Sequence, residues 1–235
     1  MLVTGAASGI GEATGRRLAS EGARVAILDR DLEKAAQVAA DIDGHVSRID
    51  LADIDSIAPA CQEAAGVIGG VDLLVNCAGW DTAMPFTDTT QDFWSKVVTI
   101  NLLGPIGVTH ATLPFMPDGA AIVNVSSDAG RVGSSGEVVY SGAKAGIIGF
   151  SKALAREVAA RGIRVNVVAP GPTDTPFLAG FDETGKLADA MQRLTPLRKL
   201  ATPDDIASAI AFLGSFEAGH ITGQVLSVSG GLTMV

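Results

Sequence analysis

A doubly wound α/β fold, seven parallel strands with helices on both faces, is predicted for this chain. Three observations carry the prediction. Short β-branched runs alternate with stretches of helical spacing along the whole 235 residues. The runs are apolar at successive positions, as strands buried on both faces require. No linker, repeat or low-complexity segment divides them, so one domain over 1–235 is expected.

The elements follow in order. "MLVT" (1–4) is the first strand, and so abrupt a start predicts that a few residues are missing ahead of Met1. Its exit, "TGAASGIG", spaces Gly5, Gly9 and Gly11 as G-x-x-x-G-x-G, a departure from the dinucleotide fingerprint that keeps its physics. Glycines permit a tight turn and close backbone approach. With Ser8 and Ile10 they lead into helix 10–21, whose N-terminal N–H groups suit a pyrophosphate. "RVAIL" (24–28) is the second strand, ending at Asp29, a carboxylate placed to accept bonds from an adenosine ribose. Asp29 would repel a 2′-phosphate, whereas the neighbouring Arg30 could hold one. NAD is expected as cofactor, with NADP the lesser candidate.

Helix 31–42 leads to "HVSRI" (45–49) and then "IDLAD", where Asp50 and Leu51 are candidates for the adenine edge. An aspartate there also serves as an ordinary N-cap for helix 53–68. "VDLLV" (71–75) exits into "NCAGW", where Asn76, Ala78 and Gly79 form a small-residue turn for close cofactor approach, and Trp80 is a candidate substrate contact. Helix 91–116 places Asn101 among apolar residues, where an amide must find partners. "AAIVNV" (120–125) exits through "NVSSDAG", which carries Ser127. Helix 138–160 precedes "RVNVV" (164–168), and helix 203–214 precedes "QVLSV" (224–228). The long irregular stretch at about 171–199 is expected to be a lid over the site.

"VVYSGAKAG" holds the only tyrosine of the chain, Tyr140, one helical turn before Lys144. Residues i and i+4 share a helix face. A nearby ammonium lowers a phenol from its reference pKa of about 10. Small neighbours leave room for a flat cofactor along that face. The pair is a tunable acid–base group.

Composition excludes other classes. The net charge of −9 argues against a nucleic-acid surface. No apolar stretch is expected to span a membrane, and the start lacks the basic region of a signal peptide. His45, His110 and His220 are scattered, so no metal site is expected. Cys61 and Cys77 form no disulfide framework, which favours a reducing, cytoplasmic home.

The glycine turn, "NCAG", Asn101, Ser127, "YSGAK" and "PGPTDT" occur in the order of the short-chain dehydrogenase/reductase family, which the chain resembles over essentially its whole length. Cys77 departs from the asparagine usual there. The resemblance implies a Rossmann-type sheet and a hydride-transfer site. Tyr140 is implied as acid or base, and Ser127 as hydrogen-bond partner of the substrate oxygen. Lys144 is implied to bind the nicotinamide ribose and lower the tyrosine pKa, with Asn101 holding a linking water. Pro170, Gly171, Thr173 and Thr175 are implied to flank the nicotinamide and phosphates. "NCAGWD", "SSDAGRVGSSGEVVYSGAKAG", "APGPTDT" and "ITGQVLSVSGGLTM" further resemble bacterial 2-hydroxycyclohexanecarboxyl-CoA dehydrogenases.

The expected activity is thus NAD-dependent interconversion of a secondary alcohol and a ketone, on an alicyclic 2-hydroxyacyl-CoA. A 3-oxoacyl thioester reductase and a small cyclic alcohol dehydrogenase are the alternatives. An NAD-sensing regulator would have no need of Asn101, Ser127, Tyr140 and Lys144 together. In the lid, Phe177 and Phe181 are expected to meet an alicyclic ring. Arg131, Lys186, Arg193, Arg198 and Lys199 are candidates for pairing with CoA phosphates. Helices 91–116 and 138–160 carry apolar residues on more than one face, and the family resemblance suggests that a homotetramer covers them.

Overall fold

A computed structural model describes residues 1–181 and 185–235. Asp182, Glu183 and Thr184, within the expected lid, lie outside the described residues. The seven strands are β1 (Leu2–Thr4), β2 (Ala26–Asp29), β3 (His45–Arg48), β4 (Leu73–Asn76), β5 (Ala121–Val125), β6 (Arg164–Pro170) and β7 (Val225–Val228). They form one parallel sheet in the order β3-β2-β1-β4-β5-β6-β7. The order reverses between β1 and β4, and such a switch point opens a crevice beyond the carboxyl ends of the strands.

Alternation along each strand sends neighbours to opposite cores. Leu2, Leu28, Leu74 and Ile122 pack on one face, while Val3, Ile27, Val75 and Val123 pack on the other. The second face is covered by α1 (Gly9–Ser20), α2 (Leu32–Asp41) and α10 (Pro203–Gly214), through Leu18, Val38, Ile206 and Ile210. The first is covered by α3 (Ile57–Ile68), α5 (Gly104–Thr112) and α7 (Val138–Glu157). Local chemistry sets the helix ends. Asp31 caps α2 by accepting from the Lys34 N–H, and Thr202 and Asp205 close a reciprocal capping box on α10.

The expected single helix 91–116 is instead four pieces. α4 (Gln91–Val98) runs into a π turn, Thr99–Leu103, before α5, and a 3₁₀ turn, Leu113–Phe115, ends the run. The reason is local. Pro105 has no N–H to give the Asn101 carbonyl, and the Gly104 N–H reaches back five residues to Thr99. Gln91–Phe115 is also long and apolar enough, by length and composition, to cross a membrane, contrary to the expectation that no stretch would be. Half of its apolar window is buried inside the protein. The stretch 171–199 is not wholly irregular either: α8 (Pro176–Ala179) and α9 (Lys186–Leu194) lie within it. A short α6 (Ala129–Val132) precedes α7.

Asn76 proves to be a core residue rather than a cofactor contact. It is 2% exposed and pairs in register with Asn124 on β5. Its Nδ2 donates to Asn124 Oδ1 at 2.8 Å and to Thr109 Oγ1 at 3.0 Å. Asn124 passes its own Nδ2 proton to Ser151 Oγ at 2.8 Å, tying α7 to the sheet. An amide buried in a strand is tolerable only inside such a chain of partners. Asn124→Ala should therefore lower unfolding free energy by about 1–3 kcal/mol in denaturant titration, since it takes one buried partner each from Asn76 and Ser151.

Candidate active site

A cleft of about 740 Å³ opens at the carboxyl ends of the central strands. The glycine turn forms its floor. Gly5 and Gly9 take positive φ, and a Cβ on Gly11 would lie 2.1 Å from the Gly5 carbonyl oxygen. Ser8 stands at the N-cap of α1 without bonding its N–H groups, which leaves the helix terminus directed at the cleft. Asp29 lines the cleft, and its Oδ2 also accepts from the Ala7 N–H at 3.0 Å, so one carboxylate both holds the turn and faces the space above it. Arg30, Asp50, Leu51 and Ile10 line the same end. Asp50 accepts from the Ala52 N–H, an ordinary turn contact.

Beyond β4, the N–H groups of Cys77 and Ala78 bond to Thr4 Oγ1, which draws this turn against the first. Burial pushes the Cys77 thiol up to about 12, so no thiolate is available for nucleophilic chemistry. Gly79 is required by what lies behind it. A Cβ there would be 3.0 Å from Asn101 Oδ1 and 3.4 Å from Lys144 Nζ. Asn101 is fully buried and does not line the cleft. Its Nδ2 donates to the carbonyls of Trp80, at 2.6 Å, and Val97, at 2.9 Å, and its Oδ1 accepts from the Trp80 N–H.

Tyr140 and Lys144 face the cleft from the first turns of α7, with Ser127 opposite them at the exit of β5. Lys144 Nζ donates to the Val125 carbonyl at 2.9 Å, and burial lowers its pKa to about 8. The expected depression of the tyrosine is not what this arrangement produces. Burial holds the phenol above its ordinary value, reinforced by Glu137 and Asp81, and the hydrogen bond with Ser127 only partly opposes them. Lys144 Nζ lies 5.6 Å from the ring centre, too far to outweigh desolvation.

Pro170, Gly171, Thr173 and Thr175 line the cleft, with Thr175 against Gly9 and capping α8 through the Leu178 N–H. The lid then meets the tyrosine. Phe177 lies 6.3 Å from the Tyr140 ring and 4.9 Å from Phe181, edge to face. Trp80 lines the opposite wall with Lys96 Nζ over its ring. Arg131 does not line the cleft; its neighbour Val132 does. Lys186, Arg193, Arg198 and Lys199 are exposed and stand outside the lining too. Sequence reasoning missed Glu137, Asp128, Leu232 and Thr233, all of which line the cleft. The serine- and glycine-rich exit of the last strand, "SVSGGLT", was the available signal for the last two, because it follows a strand end like every other functional turn.

A family model described as enoyl-(acyl carrier protein) reductase matches residues 5–233. A 3-oxoacyl-[acyl-carrier-protein] reductase FabG of Thermotoga maritima is 37% identical, covering 99% of this chain and 97% of its own. A cis-4-hydroxycyclohexanecarboxylate dehydrogenase of Sinomonas cyclohexanicum is 41% identical over 100% of this chain and 96% of its own. A solved short-chain dehydrogenase from Burkholderia cenocepacia J2315, in complex with NADP, superposes with a TM-score of 0.92 at 35% identity, covering 98% and 96% of the two chains. The chain belongs to the short-chain dehydrogenase/reductase family.

A short-chain dehydrogenase/reductase works between CH–OH and C=O groups with a nicotinamide dinucleotide, and the cleft fits that group. The glycine cradle tolerates no added Cβ, a helix N-terminus faces it, and a carboxylate ends β2. Bound there, the nicotinamide ring supplies the hydride acceptor or donor. Gly11→Ala should cost at least about tenfold in dinucleotide affinity and about 1–3 kcal/mol in stability, because the turn must open to admit the methyl group. Fluorescence titration with NADH and thermal melts read the two effects.

Proposed function

We propose that this chain is an NAD-dependent dehydrogenase of ring secondary alcohols, acting on an alicyclic 2-hydroxyacyl-CoA. The observation that carries the reading is the contact of Tyr140 with the Phe177–Phe181 pair, beside Ser127. A proton-transfer group and an apolar, ring-sized wall meet at one point. Tyr140, a neutral phenol in this arrangement, gives its proton to the forming alkoxide in reduction and must first lose that proton to solvent before it takes the hydroxyl proton in oxidation, and Ser127 holds the substrate oxygen. Lys144 keeps a positive charge beneath them and is placed for a ribose hydroxyl. Asn101 fixes the Trp80 turn and backs Lys144. Leu187, Met191 and Leu232 complete an apolar chamber that excludes water from the reacting carbon.

Asp29 favours NAD, because a 2′-phosphate would meet its carboxylate. Arg30, exposed at the same end of the cleft, favours a second reading, an NADPH-dependent 3-oxoacyl thioester reductase. The named activity of the Thermotoga relative and the NADP bound to the Burkholderia protein support that alternative. With no cation of the lid in the cleft lining, any pairing with CoA phosphates belongs to its outer rim.

The assembly we infer is a homotetramer in the cytoplasm. Val97 and Ile147 point into the chain's own core, but Trp94, Leu103 and Val138 remain 40%, 46% and 51% exposed on α4, the π turn and α7. Light scattering at micromolar concentration should give four times the chain mass, and a monomer would remove the assembly.

Steady-state rates with NAD and NADP, on cyclohexanol, the 2-hydroxy acid and its CoA ester, test the function. NAD and the ring substrates should dominate, and Tyr140→Phe should lower turnover by at least about 10²-fold with NADH binding retained. Near-normal turnover in Tyr140→Phe, or a clear preference for NADPH and open-chain 3-oxoacyl thioesters, would replace this reading.

A further inference from the structure

The chamber around Tyr140 sets apolar side chains and the hydroxyls of Ser127, Ser134 and Thr233 beside two carboxylates, and the two acids are not equivalent. Asp128 is spoken for. Its Oδ1 accepts from Ser227 Oγ at 2.8 Å and its Oδ2 from Thr233 Oγ1, so it ties the turn after β5 to the end of the chain. Glu137 is different. It stands at the N-cap of α7, three residues before Tyr140, makes no side-chain bond to the helix it precedes, and lines the cleft half-buried.

A second acid lies behind it. Asp81 is 7% exposed and lines a small cavity together with Glu137. Its Oδ2 has no hydrogen-bond partner. Burial raises the Asp81 carboxyl to about 6, the Thr82 N–H opposes that, and the charge of Glu137 adds to it. Glu137 and Asp81 also both act on the Tyr140 phenol in the direction that disfavours negative charge. The three groups therefore share one electrostatic neighbourhood, in which the two acids disfavour further negative charge.

The cations near the chamber are engaged elsewhere, Lys96 over the Trp80 ring among them. Among the described residues, the cations lining the cleft are Arg30 and Lys144. Arg30 follows β2 at the far, adenosine end. Lys144 is 2% exposed and turned onto the Val125 carbonyl beneath the tyrosine. The cations of the lid stand outside, as does Arg131.

Resting on the alcohol dehydrogenase reading above, we propose that Glu137 is a specificity-determining residue that admits a ring substrate whose carboxyl is masked as a thioester, ester or amide and turns away the free acid. In a 2-hydroxy acid the carboxyl sits on the carbon next to the carbinol. Once the hydroxyl is at Tyr140 and Ser127, that carboxyl lies within the same field that acts on the phenol. A free carboxylate brings a second negative charge beside the half-buried Glu137, where like charges a few ångströms apart cost tenfold or more in affinity at an effective dielectric of about 20. A thioester carbonyl is neutral and meets no such cost. Discrimination arises by repelling the wrong form rather than by gripping the right one.

The test compares three ring alcohols in wild type, Glu137→Gln and Glu137→Lys: the 2-hydroxycyclohexane carboxylate, its methyl ester, and cyclohexanol as the uncharged reference. With each rate normalised to cyclohexanol, the wild type should favour the ester over the acid by about tenfold or more in kcat/KM, mostly through KM. Glu137→Gln should cut that ratio about tenfold, and Glu137→Lys should invert it. Added salt should narrow the wild-type ratio and leave that of Glu137→Gln flat. Calorimetric binding of acid and ester to the NADH-loaded protein gives the same comparison without turnover. Equal wild-type affinity for acid and ester, or an acid-to-ester ratio unchanged in both variants, overturns the assignment of Glu137. Absence of turnover on every ring alcohol would instead remove the functional reading, while the binding comparison still decides the role of Glu137.

Discussion

The arrangement of the catalytic end depends on keeping the Lys144 ammonium inside the protein. A charge that is 2% exposed must be held by dipoles, and here the Val125 carbonyl at the end of β5 receives it. That contact brings α7 hard against the strand ends, and Asn124 and Ser151 fasten the same helix lower down. The turn after β4 must then pass in front of Lys144 and Asn101 with no side chain, and Gly79 is the residue that can do so. Asn101 in turn reaches the Trp80 backbone only because the helix widens around it. The single glycine, the π turn and the aligned amides gather around one group, an ammonium held at the bottom of the cleft.

Most of the fold was legible because its determinants are local. Strand runs buried on both faces announce themselves as unbroken apolar stretches, and all seven strands lie where those stretches fall. The glycine turn, Asp29, Ser127, Tyr140 and Lys144 were legible for a related reason, since each follows a strand or opens a helix and the sheet gathers them at one edge. What was not legible depends on distant partners. Asn76 reads like a turn residue, yet Asn124, forty-eight positions away, makes it a core amide. The break in helix 91–116 is the exception, since Pro105 and its missing N–H stand in the sequence itself. The phenol of Tyr140 answers to burial and to Glu137 and Asp81, none of which the Y-x-x-x-K spacing encodes.

Charge is distributed unevenly along the cleft. The end of the cleft beyond β2 mixes Asp29 and Asp50 with Arg30, while the chamber around Tyr140 sets apolar side chains beside hydroxyls and the carboxylates of Asp128 and Glu137. Lys144 is the counterweight, held below the floor rather than in the wall. The Tyr140 phenol therefore stands between a cation beneath it and acids beside it. This divides the labour within the family framework. The dinucleotide end is fixed by backbone geometry, and the chamber is tuned by side chains that can vary without disturbing the sheet.

The staple from Asp128 to Ser227 and Thr233 has a bearing on biosynthesis. Leu232 and Thr233 are part of the chamber wall, and the residue next to Ser127 is what holds them there. The glycine floor, by contrast, is made at the first strand. A ribosome thus releases the dinucleotide half of the cleft early and the last piece of the substrate wall only after residue 233 has cleared the exit tunnel. Until those residues emerge the chamber around Tyr140 lacks that part of its wall, so the order of synthesis sets the order in which the cleft is built.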